Sequence, residues 1–360
     1  MMKQDVFYQD EPDQFYATIR KRVYDYLNTT GYGRFANPFF FIKAALLISL
    51  YLSCYLMLIF AANEGLALAG MILMGPLAIL IGINVAHDAA HGNISRHRIV
   101  NSSFQLLFDL LGANSYMWKK RHVFSHHEFP NILDQDADLK QNPMVRIFPG
   151  SELKKAHRYQ YLYAPFLYLF YTINWLFVRD WQDYTEKKIG SLNIDKHPLA
   201  EYMKLVFFKL FYVSYLLVIP ALYSPLSAGE LVLGFLAMNF AASLLITLAL
   251  IPSHVAENSL FLLPNEDGKM AHSWSHHQLL SVIDFATANV FLNFFFGGFN
   301  HHIAHHLFPE ICHAHCVPIT RIVKQTTEEF NLPYHHENSF LNAYSSHFQL
   351  LKNNGKAITA

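Results

Sequence analysis

The chain has 360 residues, a formal net charge of zero and a sequence pI near 7.4. This neutral balance argues against the strongly basic surface that binds nucleic acid. Hydrophobic residues make up 52% of the chain and charged residues only 15%, which is too little charge for the surface of a soluble domain of this length. The composition therefore predicts a membrane protein.

The chain begins with a polar, charged and aromatic segment, residues 1–38, in which no apolar stretch indicates a cleaved signal peptide. Four apolar segments follow, each near the roughly 20 residues that cross a bilayer core. These predicted spans are residues 44–62, 66–86, 205–223 and 231–251. Lys209 lies one turn inside the third span, and we expect its side chain to snorkel to the interface.

Three histidine clusters with tight spacing are the dominant pattern of the chain. They are His87-Asp-Ala-Ala-His91, His122-Val-Phe-Ser-His126-His127 and His302-Ile-Ala-His305-His306, the last with His301 just ahead of it. Imidazoles at this spacing point to one side of a helix and are good ligands for first-row transition metals. One ion takes about four to six ligands, so this many imidazoles predict a two-metal site.

Isolated histidines have a different expected role. We expect these side chains to be solvated or hydrogen-bonded and not to bind metal; examples are His97, His157, His197 and His347. His254 follows the fourth span and Pro252, where a helix break would free the chain to turn. On spacing alone it is an interfacial histidine. Cys54, Cys312 and Cys316 form no disulfide framework or zinc motif and are expected to be ordinary residues.

A shorter apolar segment, residues 162–178, lies between the second and third spans and is ambiguous by hydropathy. If it crossed the membrane, the third histidine cluster would lie on the opposite face from the first two, and no common metal site could form. We therefore expect an interfacial or buried helix. The architecture predicted is all-α, with four transmembrane helices in two hairpins and a helical cap that holds a histidine-rich di-metal site.

The charges predict the orientation of this architecture. No Lys or Arg occurs in residues 44–95 or 210–268, the stretches that contain the two short outer turns. The positive-inside rule then predicts that the cap and both termini are cytoplasmic. No linker or repeat divides the chain, so we expect an N-terminal cytoplasmic segment (1–38), one catalytic domain (39–348) and a flexible tail (349–360).

The histidine clusters and their flanks resemble those of the membrane-bound fatty acid desaturases. The matching stretches are Asn84-Val-Ala-His-Asp-Ala-Ala-His-Gly-Asn-Ile-Ser95, residues 118–131, and Gly297-Gly-Phe-Asn-His-His-Ile-Ala-His-His-Leu-Phe-Pro309. The chain looks most like the bacterial branch related to linoleoyl-CoA, or front-end (delta-6-like), desaturases. Front-end members usually carry Gln where this chain has His302, and this departure leaves the regioselectivity open.

The resemblance implies a non-haem di-iron centre that uses O2 and two electrons to place a cis double bond in an acyl chain. It implies nine iron ligands: His87, His91, His122, His126, His127, His254, His302, His305 and His306. Four further residues are candidates to accept or share the other N–H of a ligating imidazole: Asp88, Asp138, His277 and His313. No catalytic residue beyond the ligands is expected.

The same resemblance implies partners and a location. The substrate is a fatty acyl group linked to CoA, a carrier protein or a phospholipid. No cytochrome b5-like His-Pro-Gly-Gly motif occurs, so we expect electrons from a separate ferredoxin or cytochrome b5. The expected location is a bacterial inner membrane, crossed several times.

Two other functions remain open. A lipid, hydrocarbon or carotenoid hydroxylase on the same di-iron scaffold would use the same histidines, although the flanks of the third cluster favour desaturation. A metal transporter is the second alternative, but it would place its ligands near the bilayer midplane and not at the ends of spans.

Overall fold

The computed structural model describes residues 6–9 and 12–356, and nearly all of their regular secondary structure is helical. The α-helices in chain order are α1 (Gln14–Thr30), α2 (Pro38–Phe60), α3 (Glu64–Ile81), α4 (His87–His91), α5 (Arg98–Leu110), α6 (Ser115–Arg121), α7 (Gln160–Tyr168), α8 (Tyr171–Asn174), α9 (Asp180–Thr185), α10 (Leu199–Val213), α11 (Ile219–Tyr223), α12 (Ala228–His254), α13 (Trp274–Ser281), α14 (Val290–Phe295), α15 (His302–Leu307), α16 (Cys316–Glu329) and α17 (Phe340–Asn354).

Short π-helical, 3₁₀ and strand segments connect these helices. The π-helical segments are Gly82–Ala86, His122–His126, Trp175–Arg179 and Ser214–Val218, and the 3₁₀ segments are Lys155–Tyr159 and His313–His315. The strands are β1 (Lys188–Ile189), antiparallel to β2 (Leu192–Asn193), and β3 (Asp284–Phe285), parallel to β4 (His336–Glu337).

Four helical stretches are long and apolar enough to cross a membrane: Pro38–Phe60, Glu64–His91, Leu199–Tyr223 and Ala228–His254. They overlap the four predicted spans. Local capping fixes where they begin: the side chains of Asn37 and Asn63 accept N–H bonds from the first turns of α2 and α3, and Ser227 forms a capping box with Glu230. The predicted all-helical membrane fold with four spanning helices is confirmed.

Close packing of the spans depends on small residues. A Cβ added to Gly75 of α3 would lie 2.0 Å from the carbonyl oxygen of Met238 in α12, so only glycine allows this approach. The buried side chains between α3 and α12 include Met71, Met74 and Phe235. This contact brings the C-terminal ends of the second and fourth spans, which carry His87, His91 and His254, near each other.

The ambiguous segment between the hairpins is bent. The stretch Lys155–Tyr168 and the stretch Tyr171–Thr185 meet at 74°, and together they would be apolar enough for a fifth span. At the bend, Thr172 Oγ1 lies 3.0 Å from the Asn239 carbonyl oxygen and 2.8 Å from Ser243 Oγ, both in α12. These bonds attach the bend to the side of the fourth span. That the segment is interfacial or buried stays a prediction.

The remaining helices form the cap. Helix α1 buries Phe15, Ile19, Val23 and Leu27, a stripe at every fourth residue, in an apolar cluster with residues of α15 and α16. The cluster includes Ile303 of α15, directly between two of the histidines of the third cluster. Helix α1, which belongs to the segment described from the sequence as polar, charged and aromatic, is therefore part of the support of the site.

Three expectations from the sequence are wrong, and the first two concern residues of the third and fourth spans. Lys209 does not snorkel: its Nζ is buried and donates to the Gly112 carbonyl at 2.6 Å and to Asp180 at 2.7 Å, because a buried carboxylate competes with the interface. Pro252 does not break α12, which continues to His254.

The C-terminal boundary also differs. Helix α17 extends to Asn354 and buries Leu350 and Leu351, so packing continues beyond residue 348, where the predicted flexible tail begins. The Leu351 carbonyl accepts a 2.7 Å bond from Gln160, and Asn354 Nδ2 donates to the Ile147 carbonyl. Residues 357–360 of that tail lie outside the described residues, as do residues 1–5 and 10–11 of the N-terminal segment.

Candidate metal centre

The first histidine cluster lies where the second span leaves the membrane. Residues 82–86 form a π-helical turn that joins α3 to α4, and Asn84 uses its side-chain amide to bond the Leu80 and Phe295 carbonyls. Helix α4 then presents His87 and His91 with ring centroids 4.7 Å apart. Gly92, in the left-handed conformation, ends the helix.

The second cluster is also π-helical. The His127 N–H donates to the His122 carbonyl, the i→i+5 bond of a π-helix. One turn of this wider helix ends between the fourth and fifth residues after His122. His126 and His127 therefore both return to the side of His122. The prediction of an ordinary helical turn is wrong in geometry, although the three rings lie on one side as expected.

The third cluster forms the short helix α15 after a sharp turn at Gly297 and Gly298, both with positive φ. A Cβ on Gly297 would lie 2.5 Å from the side-chain oxygen of Asn84, so glycine lets this turn pass directly against the π-helical end of the second span. This contact brings α15 over α4.

The folded chain sorts eight histidines into two groups of four. The first group, called group A, is His87, His91, His122 and His305, and the second, called group B, is His126, His254, His302 and His306. Within each group one ring nitrogen of every member lies within 4.8 Å of the others. Each group combines side chains from the end of a span with side chains from the cap.

Short nitrogen–nitrogen distances mark the centres of both groups. In group A, His87 Nε2 lies 3.1 Å from His122 Nε2. In group B, His254 Nε2 lies 3.1 Å from His126 Nε2 and 2.8 Å from His302 Nε2. His254, which the spacing alone describes as interfacial, is thus at the centre of group B.

His127 lies between the groups. Its ring centroid is 4.8 Å from that of His91 and 4.6 Å from that of His305 in group A, and 4.3 Å from that of His306 in group B. Its Nε2 lies 3.1 Å from His122 Nε2. His301, which stands just ahead of the third cluster, instead bonds Thr320 and Asn293 and does not join either group.

Three polar side chains hold the outer nitrogens of these rings. Asp138 accepts from His122 Nδ1 at 2.7 Å, Asp136 from His126 Nδ1 at 2.9 Å, and Gln278 Oε1 from His306 Nδ1 at 2.9 Å. A proton held on Nδ1 leaves the Nε2 lone pair directed into the group. The sequence names Asp138 for this role but misses Asp136 and Gln278.

The other three predicted partners are less direct. Asp88 lies 3.6 Å from His87 Nδ1, beyond normal hydrogen-bond distance, and accepts from His313 Nδ1 at 2.7 Å. Among the described residues, His313 therefore reaches the site through Asp88 alone. His277 bonds the Pro130 carbonyl, and among the described residues it makes no hydrogen bond to the nine histidines. The role predicted for His277, holding the outer nitrogen of a ligating histidine, belongs to its neighbour Gln278.

Burial favours the neutral form of most histidines in the cap. Burial and neighbouring imidazoles lower the pKa of His127, His302, His305 and His306 well below 6.5, and burial lowers the pKa of His122 to about 4. His126 differs, because Asp136 raises its pKa although burial acts in the opposite direction. Neutral imidazole is the form that binds a metal.

The donor set fits metal ions. Among the described residues, the buried Nε2 atoms of His91, His305 and His306 have no hydrogen-bond partner. Buried polar atoms are normally satisfied, and lone pairs that face each other at about 3 Å repel unless a proton or a cation lies between them. Four imidazoles around each of two points are suited to a first-row transition metal.

Two of the isolated histidines are not solvated. His347 is buried, donates from Nδ1 to the Val255 carbonyl at 2.6 Å and contacts the Tyr168 hydroxyl at 2.9 Å. It thus supports the residue after His254 and is hydrogen-bonded, one of the two expected states. His157 is also buried and hydrogen-bonded. His97, at the start of α5, is exposed.

The chain is similar to known proteins over most of its length. Residues 63–338 match the family model described as fatty acid desaturase. The chain is 31% identical to the sn-1 linoleoyl-lipid 6-desaturase of Arthrospira platensis, over 94% of this chain and 92% of that protein. It is 29% identical to the sn-1 linoleoyl-lipid 6-desaturase of Synechocystis sp. (95% and 96% covered) and 30% identical to the acyl-lipid (8-3)-desaturase of Physcomitrium patens (96% and 72% covered).

Proposed function

Because the chain belongs to the fatty acid desaturase family, we propose that it catalyses O2-dependent formation of a cis double bond in an acyl chain. It is an oxidoreductase that acts on acyl lipids. In the proposed reaction, two neighbouring methylene groups each lose one hydrogen. These hydrogens, together with two electrons and two protons from outside, reduce one O2 to two waters.

The observation that carries the proposal is the pair of four-histidine groups. Group A would hold one iron through His87, His91, His122 and His305, and group B a second iron through His126, His254, His302 and His306. His127, the ninth proposed ligand, is close enough to both groups to complete either. Two irons held there would supply the O2 chemistry that attacks an unactivated C–H bond.

Three side chains orient the histidine rings. Asp138, Asp136 and Gln278 each keep a proton on a ring Nδ1 and so direct the opposite Nε2 inward. Nearly all nine histidines are buried, which excludes bulk water from the site. An acyl tail gains about 0.8 kcal/mol for each CH2 that the protein buries, so the proposed lipid substrate would be bound mainly through its tail.

The proposal also covers the membrane orientation, the extent of the domain and the electron donor. We place both termini and the cap on the cytoplasmic side of a bacterial inner membrane, because the Lys and Arg residues flank the inner ends of the spans. One desaturase domain is proposed for residues 39–348, and α17 continues beyond it to Asn354. A separate ferredoxin or cytochrome b5 delivers the electrons.

Expression in a host with a known lipid composition tests the proposal. Lipids from cells that express the chain should contain a new double bond, located by mass spectrometry, and cells that express His126→Ala should not contain it. His97→Ala, in which an exposed histidine is changed, is the matched control. A hydroxylated product would identify the hydroxylase on the same scaffold, and metal uptake by proteoliposomes without O2 consumption would identify a transporter.

A further inference from the structure

Asn131 lies in the loop that joins the second histidine cluster to Asp136 and Asp138. It is fully buried, and its φ of 59° places it in the left-handed region, which asparagine adopts more readily than most residues. Its side chain bonds backbone carbonyls and not imidazole rings. These contacts nevertheless lead to three of the four histidines of group B.

The backbone of Asn131 fixes the partner of His126. Its N–H donates to Asp136 Oδ2 at 2.9 Å, and the same oxygen accepts from His126 Nδ1 at 2.9 Å. The other oxygen, Oδ1, accepts from the N–H groups of Asp138 and Leu139 at 2.9 and 3.1 Å. Three backbone N–H groups therefore hold this carboxylate, and the path of the loop sets its orientation toward the imidazole.

The side chain of Asn131 holds the chain at His254. Its Nδ2 donates to the His254 carbonyl at 2.9 Å, and the Ser259 hydroxyl donates to the same carbonyl at 2.7 Å. His254 is the last residue of α12, where carbonyl groups have no donor within the helix and need one from elsewhere. These two bonds fix the backbone that directs the His254 ring toward His126 and His302.

The same Nδ2 of Asn131 also bonds the end of α13. It donates to the Ser281 carbonyl at 3.1 Å, and the Leu260 carbonyl lies 3.3 Å from it. Ser281 is the last residue of α13, the helix that places Gln278 against His306 Nδ1. One buried amide thus connects the loop after the second cluster with the ends of α12 and α13.

This position requires a hydrogen-bond donor. Three carbonyl oxygens surround Nδ2 of Asn131, so the atom there must carry N–H groups, and the amide can point only one way. Among the described residues, its Oδ1 has no hydrogen-bond partner. Aspartate would put an oxygen against three carbonyl oxygens, whereas glycine would keep the left-handed backbone and its N–H and remove only the amide.

We propose that Asn131 is a positioning residue for group B, because it fixes the elements that hold three of its four histidines. The inference rests on the proposed function, since group B is a site only if it binds a metal. The side chain of Asn131 contacts α12 and α13, and neither helix supplies a member of group A. Loss of this side chain should therefore weaken one metal site and spare the other.

Variants that keep one histidine group intact allow each metal site to be measured alone. In His302→Ala group B is broken and the remaining ion belongs to group A, whereas in His91→Ala the remaining ion belongs to group B. Metal-free, full-length protein of each variant is titrated with Fe(II) in the absence of O2. Calorimetry gives the dissociation constant without any turnover.

Asn131→Gly is then added to both variants. With His91→Ala, Fe(II) binding should weaken about tenfold, because the hydrogen bonds at the ends of α12 and α13 are lost. With His302→Ala, the dissociation constant should not change. Asn131→Asp should weaken binding at group B more than Asn131→Gly does, because its carboxylate faces three carbonyl oxygens.

Asn331→Gly is the matched control. Asn331 also has a positive φ, 52°, but it is exposed after the end of α16. The change gives the unfolded chain the same extra freedom and should alter neither dissociation constant. Thermal unfolding of the metal-free proteins identifies the variants that fold, and Asn131→Ser, which keeps one shorter donor, replaces Asn131→Gly in the comparison if the latter does not fold.

The outcomes separate this inference from the proposed function. Weakening that is confined to the His91→Ala protein supports the positioning role. Equal weakening in both proteins would show a general structural role, and no weakening in either would show that group B forms without the amide, so both results overturn the inference while the metal centre stands. If neither His91→Ala nor His302→Ala binds Fe(II), the two-site metal centre fails and the positioning role fails with it.

Discussion

His254 is the one proposed ligand outside the three histidine clusters, yet its Nε2 lies 3.1 Å from that of His126 and 2.8 Å from that of His302. We predict that His254→Ala abolishes desaturation and lowers the iron content measured by metal analysis. Removing this imidazole opens group B at its centre but changes only the last residue of α12, so membrane insertion should be unaffected.

His97→Ala is the matched control, because this histidine is exposed, and it should keep full iron and activity. His347 is unsuitable for that purpose, since its ring bonds the carbonyl next to His254. Full iron content in His254→Ala would reduce the ligand set to the three clusters.

Asp138 is a positioning residue, because its carboxylate accepts the Nδ1 proton of His122 at 2.7 Å and does not face the centre of group A. We predict that Asp138→Asn weakens iron binding about 10- to 100-fold, the usual cost of losing such a partner. Titration of the metal-free protein with Fe(II) measures the change directly. Asp195→Asn, an exposed carboxylate control, should titrate like the wild-type protein, and equal affinities of the two variants would contradict the positioning role.

The sequence indicates which histidines come together, but not which side chains hold each imidazole ring in place. Repeated spacing identifies the histidines of the clusters because their function requires several imidazoles on one side of a helix. Asp136 and Gln278 have no such pattern: each contacts its histidine through one ring nitrogen, and Gln278 lies 28 residues before His306. A single hydrogen bond between distant residues leaves no period in the sequence. The same is true of Lys209, whose partner Asp180 lies 29 residues away.

The π-helical turns are the main feature at the level of elements that a 3.6-residue period cannot predict. Residues 82–86 and 122–126 both widen the helix directly beside proposed ligands. In the second of these, widening is what brings His126 and His127 to the same side as His122. Hydropathy, in contrast, is sufficient to predict the four spans, because each must be apolar over the thickness of a bilayer.

A buried ion network fixes the helix that leads into the second cluster. Asp180 accepts bonds from Arg121, Lys209 at 2.7 Å, Trp175 at 2.9 Å and the Asn114 N–H at 3.1 Å, and Arg121 also contacts Asp183. We predict that Asp180→Asn lowers the free energy of unfolding by about 3–5 kcal/mol, because it leaves buried cations undercompensated. Thermal or denaturant unfolding of the purified protein measures this loss.

The exposed ion pair between Lys140 and Glu186 provides the comparison for that network. Glu186→Gln should change the free energy of unfolding by less than about 1 kcal/mol, since exposed pairs contribute little. Similar losses in Asp180→Asn and Glu186→Gln would mean that the buried network does not hold α6 in place.

The N-terminal segment packs against the loop that follows the second histidine cluster. Tyr8 donates to the Glu128 carbonyl at 2.6 Å and stacks on Phe129, while Phe7 pairs with Lys269. We predict that Tyr8→Ala increases hydrogen exchange of the amides of Glu128, Phe129 and Asn131, because both contacts are lost. Tyr8→Phe keeps the ring and should give a smaller increase. Unchanged exchange in Tyr8→Ala would show that the loop is held without the N-terminal segment.

The whole molecule is organised so that neither the spans nor the cap contains a complete metal group. Group A takes His87 and His91 from the second span and its other members from the cap, and group B takes His254 from the fourth span. The parity argument from the sequence needs all clusters on one side of the membrane, and this shared membership agrees with it. Which side is cytoplasmic is still predicted from the charges alone.

Metal binding should therefore hold the hairpins and the cap together. We predict two irons per chain, and we expect removal of the metal by a chelator to lower the unfolding temperature of the purified protein, because ions that bind only the folded state stabilise it by mass action. Returning Fe(II) should restore the temperature, and this recovery should be lost in His302→Ala, which lacks a member of group B. His97→Ala should recover like the wild-type protein. A stoichiometry of one iron per chain would contradict the two-metal arrangement, and an unfolding temperature that is independent of metal would show that the contact between spans and cap forms without it.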